Sequence, residues 1–213
     1  MKVSLNKKIL SKNAECALQN RNFFAENNTL CINVISSPGS GKTTILARTI
    51  TDNPDLKIGV VEGDIKTDTD ARKIRKTGAC AIQIETAGAC HLSAEQVTKA
   101  LGKIPTADLD IVFIENVGNL VCPSSFDLGE QFRVVVLSVP EGDDKPIKYP
   151  GTFAKADAIL INKIDLIDYI DFNLERAVAD IRVLNPNVKI FQVSAKTGQG
   201  MDHWYDWLKS CRK

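Results

Sequence analysis

Residues 36–44 form the most informative segment of this 213-residue chain and read Ser36-Ser37-Pro38-Gly39-Ser40-Gly41-Lys42-Thr43-Thr44. The segment follows an apolar run at 31–35 and opens a stretch with helical periodicity at 42–50. A strand, a glycine-rich turn and a helix in this order aim backbone N–H groups and the positive end of the helix at phosphate oxygens. The sequence therefore predicts a phosphate-binding loop within a P-loop α/β fold.

The side chains of this loop have separate predicted roles toward a nucleoside triphosphate. The Lys42 ammonium neutralises the β- and γ-phosphates, and the Thr43 hydroxyl holds magnesium. The usual loop pattern has glycine at position 36, where this chain has Ser36, but Gly39 and Gly41 still let the backbone approach the ligand. The predicted phosphate-binding residues are Pro38, Gly39, Ser40, Gly41, Lys42, Thr43 and Thr44.

The rest of the chain alternates between short apolar runs and longer segments of helical period. Near-continuous apolar runs separated by helices indicate a mostly parallel sheet of about seven strands with helices on both faces. Ligands of such sheets bind at the carboxyl ends of the strands. The predicted strands are residues 31–35, 57–61, 81–84, 109–114, 132–139, 157–161 and 189–193, and the predicted helices after the first strand are 42–50, 68–76, 93–101, 173–184 and 201–208.

The segment before the first strand predicts one amphipathic helix at residues 4–24. Its apolar side is expected to pack against the domain or a partner subunit, and to contain Leu10, Ala14, Ala17 and Leu18. No repeat, low-complexity tract or Gly/Ser linker marks a second domain. We therefore interpret the chain as an N-terminal helical extension at 1–28 followed by a P-loop domain at 29–213.

The composition excludes two classes of partner. Lys and Arg number 27 and Asp and Glu number 26, so the net charge of +1 offers no basic excess for nucleic acid or for a membrane surface. The longest apolar runs fall far short of the roughly 18 residues that span a bilayer, and the polar N-terminus does not resemble a signal peptide. We therefore expect a cytoplasmic protein. Six irregularly spaced cysteines without a C-x-x-C pair do not resemble a disulfide framework.

Two segments that follow predicted strands have the pattern of guanine-binding motifs, Asn162-Lys163-Ile164-Asp165 and Ser194-Ala195-Lys196. The Asp165 carboxylate is placed to accept both N–H donors of guanine's Watson–Crick edge, a donor pair that adenine lacks. The Lys163 stem is expected to lie along the base, and the backbone N–H of Ala195 to meet the guanine oxygen. Combined with a phosphate loop more than a hundred residues earlier, the two motifs predict GTP rather than ATP.

Acidic residues at two further strand ends are expected to serve magnesium binding and hydrolysis. Glu115 begins the segment 115–118, in which the Gly118 N–H would sense the γ-phosphate, and Asp64 follows the strand at 57–61. We assign Lys42, Asp64 and Glu115 as catalytic residues, and Thr43, Asp64 and Glu115 as magnesium ligands. Helix capping or a solvated loop charge is the alternative role of each acid. Because no water-positioning Gln stands at the usual place, hydrolysis of GTP to GDP and phosphate should be slow.

Thiol and imidazole side chains that suit zinc or nickel occur at Cys90-His91 and at Cys122. Each position lies just beyond a predicted strand end, and the pattern Ser93 to Gln96 predicts a helix start that leaves Cys90 and His91 in a loop. Three protein ligands would leave one coordination position open. A lone cysteine is more often a small buried hydrophobe, and that structural role is predicted for Cys16, Cys31, Cys80 and Cys211.

Beyond these motifs, longer segments of the chain resemble the HypB family of GTPases that incorporate nickel into hydrogenase. The segments are 63–64 with 69–71, 87–92, 115–123, 126–130 and 141–146, and the resemblance extends from about residue 29 over nearly the whole chain. It implies a GTP-driven homodimer that handles nickel during [NiFe]-hydrogenase maturation. It also implies exchange of nickel with a small metallochaperone, delivery to the hydrogenase large subunit, and Cys90, His91 and Cys122 as Ni²⁺ or Zn²⁺ ligands near the dimer interface.

The sequence departs from some members of that family and leaves alternatives open. It has neither the N-terminal cysteine-rich motif nor the histidine-rich tract of some members, so no separate tight nickel store is expected. The related urease accessory GTPases use a Cys-Pro-His triplet, whereas Ser124 follows Cys122-Pro123 here. The remaining alternatives are a urease accessory GTPase, a P-loop small-molecule kinase, which Asp165 argues against, and a metal carrier without enzymatic activity.

Overall fold

The computed structural model of the chain describes residues 3–64, 69–86, 88–104 and 108–212. Within these ranges, seven strands form one fully parallel sheet in the order β3-β2-β4-β1-β5-β6-β7. The predicted fold class is confirmed. The strands are β1 Leu30–Ser36, β2 Ile58–Asp64, β3 Cys80–Glu85, β4 Ile111–Glu115, β5 Phe132–Ser138, β6 Ala158–Asn162 and β7 Lys189–Val193.

Helices cover both faces of the sheet, and the six predicted ones are confirmed with shifts of one or two residues at their ends. Single helical turns such as α5 and α6 were not predicted, because four residues are too few to show a periodicity. The α-helices are α1 Val3–Glu26, α2 Lys42–Asp52, α3 Thr69–Arg75, α4 Ala94–Leu101, α5 Lys145–Lys148, α6 Pro150–Phe153, α7 Leu174–Leu184 and α8 Met201–Ser210.

The core has one apolar layer on each side of the sheet because successive strand residues point to opposite faces. Ile32 and Val34 of β1 pack with α2 and α8, where Trp204 is almost fully buried. Cys31 of β1 packs on the other face with Phe24 of α1. β1 itself lies between β4 and β5 and is buried along its whole length, which fixes the phosphate loop at the centre of the sheet's carboxyl edge.

Helix α1 packs on α4, but the predicted apolar face was wrong in part. Ala14 and Leu18 are exposed, and the buried positions are Ala17, Asn20 and Phe24. Leu10 lies outside the residues whose side chains are described. The polar Asn20 is buried because its Nδ2 donates to Ala94 O at 3.0 Å and to Leu128 O at 2.9 Å, while its Oδ1 accepts from the Thr98 hydroxyl at 2.7 Å.

Among the described residues, no helix combines the length and the apolar character that crossing a bilayer requires.

Candidate functional site

A cavity of about 450 Å³ lies at the carboxyl ends of the central strands. Its walls come from the phosphate loop, the end of β2, the start of α3, Lys163 and the segment 115–118. A larger groove of about 760 Å³ lies at the opposite edge of the sheet, where Leu30 and Phe132 begin their strands. The phosphate loop does not border that groove, so the smaller cavity is the candidate nucleotide site.

Two glycines allow the phosphate loop to pack closely against the segment that begins at Asn162. Gly39 and Gly41 have φ values of 75° and 97°, a left-handed conformation that side chains with a Cβ rarely adopt. A Cβ on Gly41 would lie 2.5 Å from Asn162 Nδ2. Asn162 Nδ2 donates to Ser40 O at 2.8 Å, and Lys163 Nζ donates to Gly39 O at 2.6 Å. The first residues of the predicted base-binding motif are therefore fixed directly against the phosphate loop.

Ser36 fills the position where the usual loop pattern has glycine. Its Oγ accepts from Lys42 Nζ at 2.9 Å and from Ser40 Oγ at 2.5 Å. Lys42 is 8% exposed, and burial lowers its pKa, while the nearby Glu115 carboxylate opposes that shift. The serine thus keeps the Lys42 ammonium hydrogen-bonded at the floor of the cavity.

The predicted magnesium residues border the same cavity. Thr43 Oγ1 donates to Glu115 Oε1 at 2.7 Å, and the half-buried Asp64 ends β2 at the cavity wall. Glu115 is 3% exposed, and burial raises its pKa to about 7 against the opposing charge of Lys42. Thr44, the last residue of the loop, accepts a hydrogen bond from Lys73 Nζ at 2.7 Å.

Glu62 is a buried acid in this cavity to which the sequence analysis gave no role. It is 2% exposed and stands beside Glu115 in the register of β2 and β4. Burial raises the pKa of Glu62 to about 8, and the nearby carboxylates, Glu115 first, add to that shift. The sequence pattern that could have identified Glu62 is its position directly after the apolar run of a central strand. Glu115 follows Ile114 in the same way.

The predicted guanine-binding residues lie on the loops that follow β6 and β7. Ser194 Oγ donates to Asp165 Oδ1 at 2.6 Å, which joins the two loops. The Ala195 N–H donates to Asn162 Oδ1 at 3.1 Å, whereas the sequence prediction left this N–H free for the guanine oxygen. A bound base would therefore have to share or displace that acceptor. Lys196 is exposed to solvent.

Cys90, His91 and Cys122 come together beside the nucleotide cavity. Their ligand atoms all lie within 4.8 Å of one another, and Cys90 Sγ is 3.6 Å from His91 Nδ1. Cys90 is exposed, while His91 and Cys122 are half-buried. These distances are within reach of a single metal ion after small side-chain adjustments. The other four cysteines are free thiols outside this cluster.

Neighbouring residues orient the cluster. The His91 ring stacks on Phe126 with a centroid distance of 3.8 Å, and Asn119 Nδ2 donates to Cys90 O at 3.2 Å. Burial lowers the pKa of His91, which favours the neutral, ligating form of the imidazole. The hydrogen bond with Cys122 raises the pKa of Cys90, so a metal would have to displace a proton from the thiol.

The cluster of Cys90, His91 and Cys122 is connected to the nucleotide cavity through Leu92, the residue that follows His91. Leu92 N donates to Asn116 Oδ1 at 3.2 Å, and Asn116 immediately follows Glu115. Leu92 also packs against Gly63, where an added Cβ would lie 2.8 Å from Leu92 Cγ. The residue that follows His91 is thereby held by the ends of both β2 and β4, which carry the acids of the cavity.

The parallel sheet and the loop at its carboxyl edge define a P-loop nucleotide-binding domain. The family described as "CobW/HypB/UreG, nucleotide-binding domain" matches residues 30–192. The hydrogenase maturation factor HypB of Escherichia coli K12 is 49% identical over 205 residues, which are 96% of this chain and 71% of that protein. The chain therefore belongs to the CobW/HypB/UreG family and, within it, to the HypB hydrogenase maturation factors.

Two further comparisons involve Helicobacter pylori. The hydrogenase/urease maturation factor HypB of strain 26695 is 41% identical over 210 residues, or 97% of this chain and 86% of that protein. The crystal structure of HypB from this organism in complex with nickel superposes with a TM-score of 0.91 at 40% identity. That superposition covers 94% of this chain and 95% of the other.

Proposed function

We propose that this protein is a magnesium-dependent GTPase that binds nickel or zinc and assists nickel insertion into [NiFe]-hydrogenase. The observation that carries the proposal is the connection between the two sites, since Leu92 links the loop of Cys90 and His91 to the end of β4. A nucleotide-dependent shift at that strand end would change the spacing of the metal ligands. The names of the relatives support hydrogenase as the client, and a nickel complex of one relative supports the cargo.

The proposed GTPase site lies in the P-loop domain at 29–213. Lys42 neutralises the phosphates, the Gly118 N–H senses the γ-phosphate, and Asp165 selects guanine. Magnesium would be held by Thr43, Asp64 and Glu115, where it supplies charge neutralisation for phosphoryl transfer. Glu115 Oε2 fits this role because it is buried without a hydrogen-bond partner among the described residues.

The proposed cargo site takes Ni²⁺ or Zn²⁺ on Cys90, His91 and Cys122. Three ligands leave a coordination position for water or for a side chain of a partner. We propose a homodimer as the working form, a small nickel metallochaperone of hydrogenase maturation as the exchange partner, and the hydrogenase large subunit as the client. The exposure of Cys90 gives such partners access to the metal.

Urease maturation is the second candidate function. One relative of similar length is named a hydrogenase/urease maturation factor, so a single protein of this family serves both clients. Activation of purified apo-hydrogenase and apo-urease by nickel-loaded protein would separate the two. Activation of urease alone would contradict the primary proposal.

The proposal is tested by titrating metal-free protein with Ni²⁺ and Zn²⁺ in the presence of GTP or GDP, with mass measured by light scattering. We expect metal affinity or the dimer fraction to differ between the two nucleotides. Cys122→Ala should lose metal while it retains GTP, and Cys16→Ala, which removes a thiol outside the cluster, should change neither. Identical metal binding in both nucleotide states would instead favour a simple metal carrier.

A further inference from the structure

Glu62 and Glu115 form a pair of buried acids at the floor of the nucleotide cavity. The two residues are Cα partners in the parallel register of β2 and β4, so their side chains leave the same face of the sheet about 4.8 Å apart. Both border the cavity, and they are 2% and 3% exposed. Two carboxylates are thus brought together out of contact with bulk water.

Each acid has one oxygen engaged and one oxygen free. Glu115 Oε1 accepts from the Thr43 hydroxyl, and Glu62 accepts from the backbone N–H of Ala71 in α3. The second oxygen of each residue, Oε2, is buried and has no hydrogen-bond partner in the part of the chain that the structure describes. A buried polar atom without a partner is costly, and two adjacent carboxylates add mutual repulsion.

We infer that Glu62 is a further acid of the magnesium site and binds the cation with Glu115, directly or through a metal-bound water. A hard divalent cation prefers carboxylate oxygens and would satisfy both unpartnered atoms at once. The inference rests on the proposed nucleotide and magnesium site, and it adds a residue that neither the loop pattern nor the strand-end acids had indicated. Through Ala71, the same carboxylate links the cation to the start of α3, which also carries Asp70 at the cavity wall.

The test is the affinity of Mn²⁺, used as a spectroscopic substitute for Mg²⁺, measured by electron paramagnetic resonance with GDP and with a non-hydrolysable GTP analogue. The Glu62→Gln variant keeps an oxygen that accepts from Ala71 but removes the charge. We expect it to weaken Mn²⁺ binding about tenfold or more, in the range found when residues supporting a metal site are removed. Its melting temperature without metal should not fall below that of the wild type, because the neutral amide replaces a buried acid that is unfavourable in its charged form.

A matched control is Glu141→Gln. Glu141 also has a carboxylate oxygen that is buried without a partner, but it does not border the cavity. This variant should keep the Mn²⁺ affinity of the wild type. Wild-type Mn²⁺ affinity in Glu62→Gln would overturn the inference and leave Glu62 as an anchor for α3. Absence of Mn²⁺-dependent nucleotide binding by the wild type would contradict the proposed function itself.

A second measurement avoids substitution. In wild-type protein labelled with ¹³C at the glutamate carboxyl carbons and assigned by through-bond experiments, diamagnetic Mg²⁺ should shift the carboxyl resonances of Glu62 and Glu115 together. A shift of the Glu115 resonance with an unchanged Glu62 resonance would overturn the inference even if the variant failed to fold.

Discussion

Gly118 is a residue whose missing side chain determines the shape of the nucleotide cavity. A Cβ at this position would lie 2.9 Å from both the backbone N and the Cα of Pro38, which real structures do not tolerate. The loop after β4 can therefore touch the phosphate loop only because residue 118 is glycine. Asn116, two positions earlier, is 1% exposed and holds that loop in place by accepting from Leu92 N and Val117 N.

Gly118→Ala should separate the two loops and weaken binding of GTP more than binding of GDP, because the N–H of residue 118 is proposed to contact only the γ-phosphate. We expect a loss of about tenfold in GTP affinity, equivalent to about 1.4 kcal/mol. Calorimetric titration with both nucleotides checks this. Gly151→Ala is the control, since a Cβ at Gly151 meets no atom within 4 Å. Equal losses for both nucleotides would exclude the γ-phosphate role.

At the scale of secondary-structure elements, α1 is joined to the domain by polar contacts in addition to the apolar packing of Ala17 and Phe24. Asn13 Oδ1 accepts from Ala94 N at 2.9 Å at the start of α4, and Asn13 Nδ2 donates to Asp127 O at 2.7 Å. The buried amide of Asn20 bonds α4 and the loop at Leu128. The helix thereby bonds both the start of α4, three residues after His91, and the loop at 127–128, which follows the segment of Cys122.

Asn20→Ala should lower the free energy of unfolding by about 1–3 kcal/mol, because it removes the donor to the Leu128 carbonyl, while the Thr98 hydroxyl keeps its bond to Ala94 O. Urea denaturation measures the change. Asn22→Ala on the exposed side of the same helix should stay within about 0.5 kcal/mol of the wild type. A similar small effect for both variants would show that α1 contributes little to the stability of the domain.

The elements could be predicted from the sequence where one physical signal dominates. Apolar runs located all seven strands, and the 3.6-residue period located the long helices. The buried face of α1 could not be predicted, because Asn20 looks like a surface residue until its three hydrogen-bond partners are known. The role of Glu62 was not predicted for a related reason, since its burial depends on the register of β2 against β4. The convergence of Cys90, His91 and Cys122 could be predicted because all three follow strand ends. The 3.6 Å distance between Cys90 Sγ and His91 Nδ1 could not be predicted in this way.

At the scale of the whole molecule, both sites share the carboxyl edge of one sheet. Gly63 of β2 lies between them, with the buried acid Glu62 on one side and the contact to Leu92 on the other. β2 therefore contacts both the nucleotide cavity and the loop of Cys90 and His91. A displacement of the end of β2 would move Leu92, the residue next to His91.

Gly63→Ala should displace Leu92 and weaken nickel binding more than it weakens nucleotide binding in metal-free protein, because the added Cβ would lie 2.8 Å from Leu92 Cγ. Overpacking of this kind costs roughly 1–3 kcal/mol. Gly59→Ala is a matched control on the same strand, because its Cβ would lie 2.6 Å from Leu109 Cδ1, away from the metal loop. Calorimetric nickel titrations of the two variants should differ. Equal nickel affinities would mean that β2 does not connect the sites.

The strand order also has a consequence for the assembly of the protein during synthesis. β1 is the first strand to be synthesised, and its two neighbours in the sheet are β4 and β5. It therefore cannot pair until both of these later segments have been translated. Parallel pairing across such sequence separations is slow to form. A nascent chain exposes Cys90 and His91 before β4 and the segment that carries Cys122 have been added, and the loops with Asp165 and Ala195 come last. The proposed set of metal ligands is therefore incomplete until Cys122, a little past the middle of the chain, has been translated.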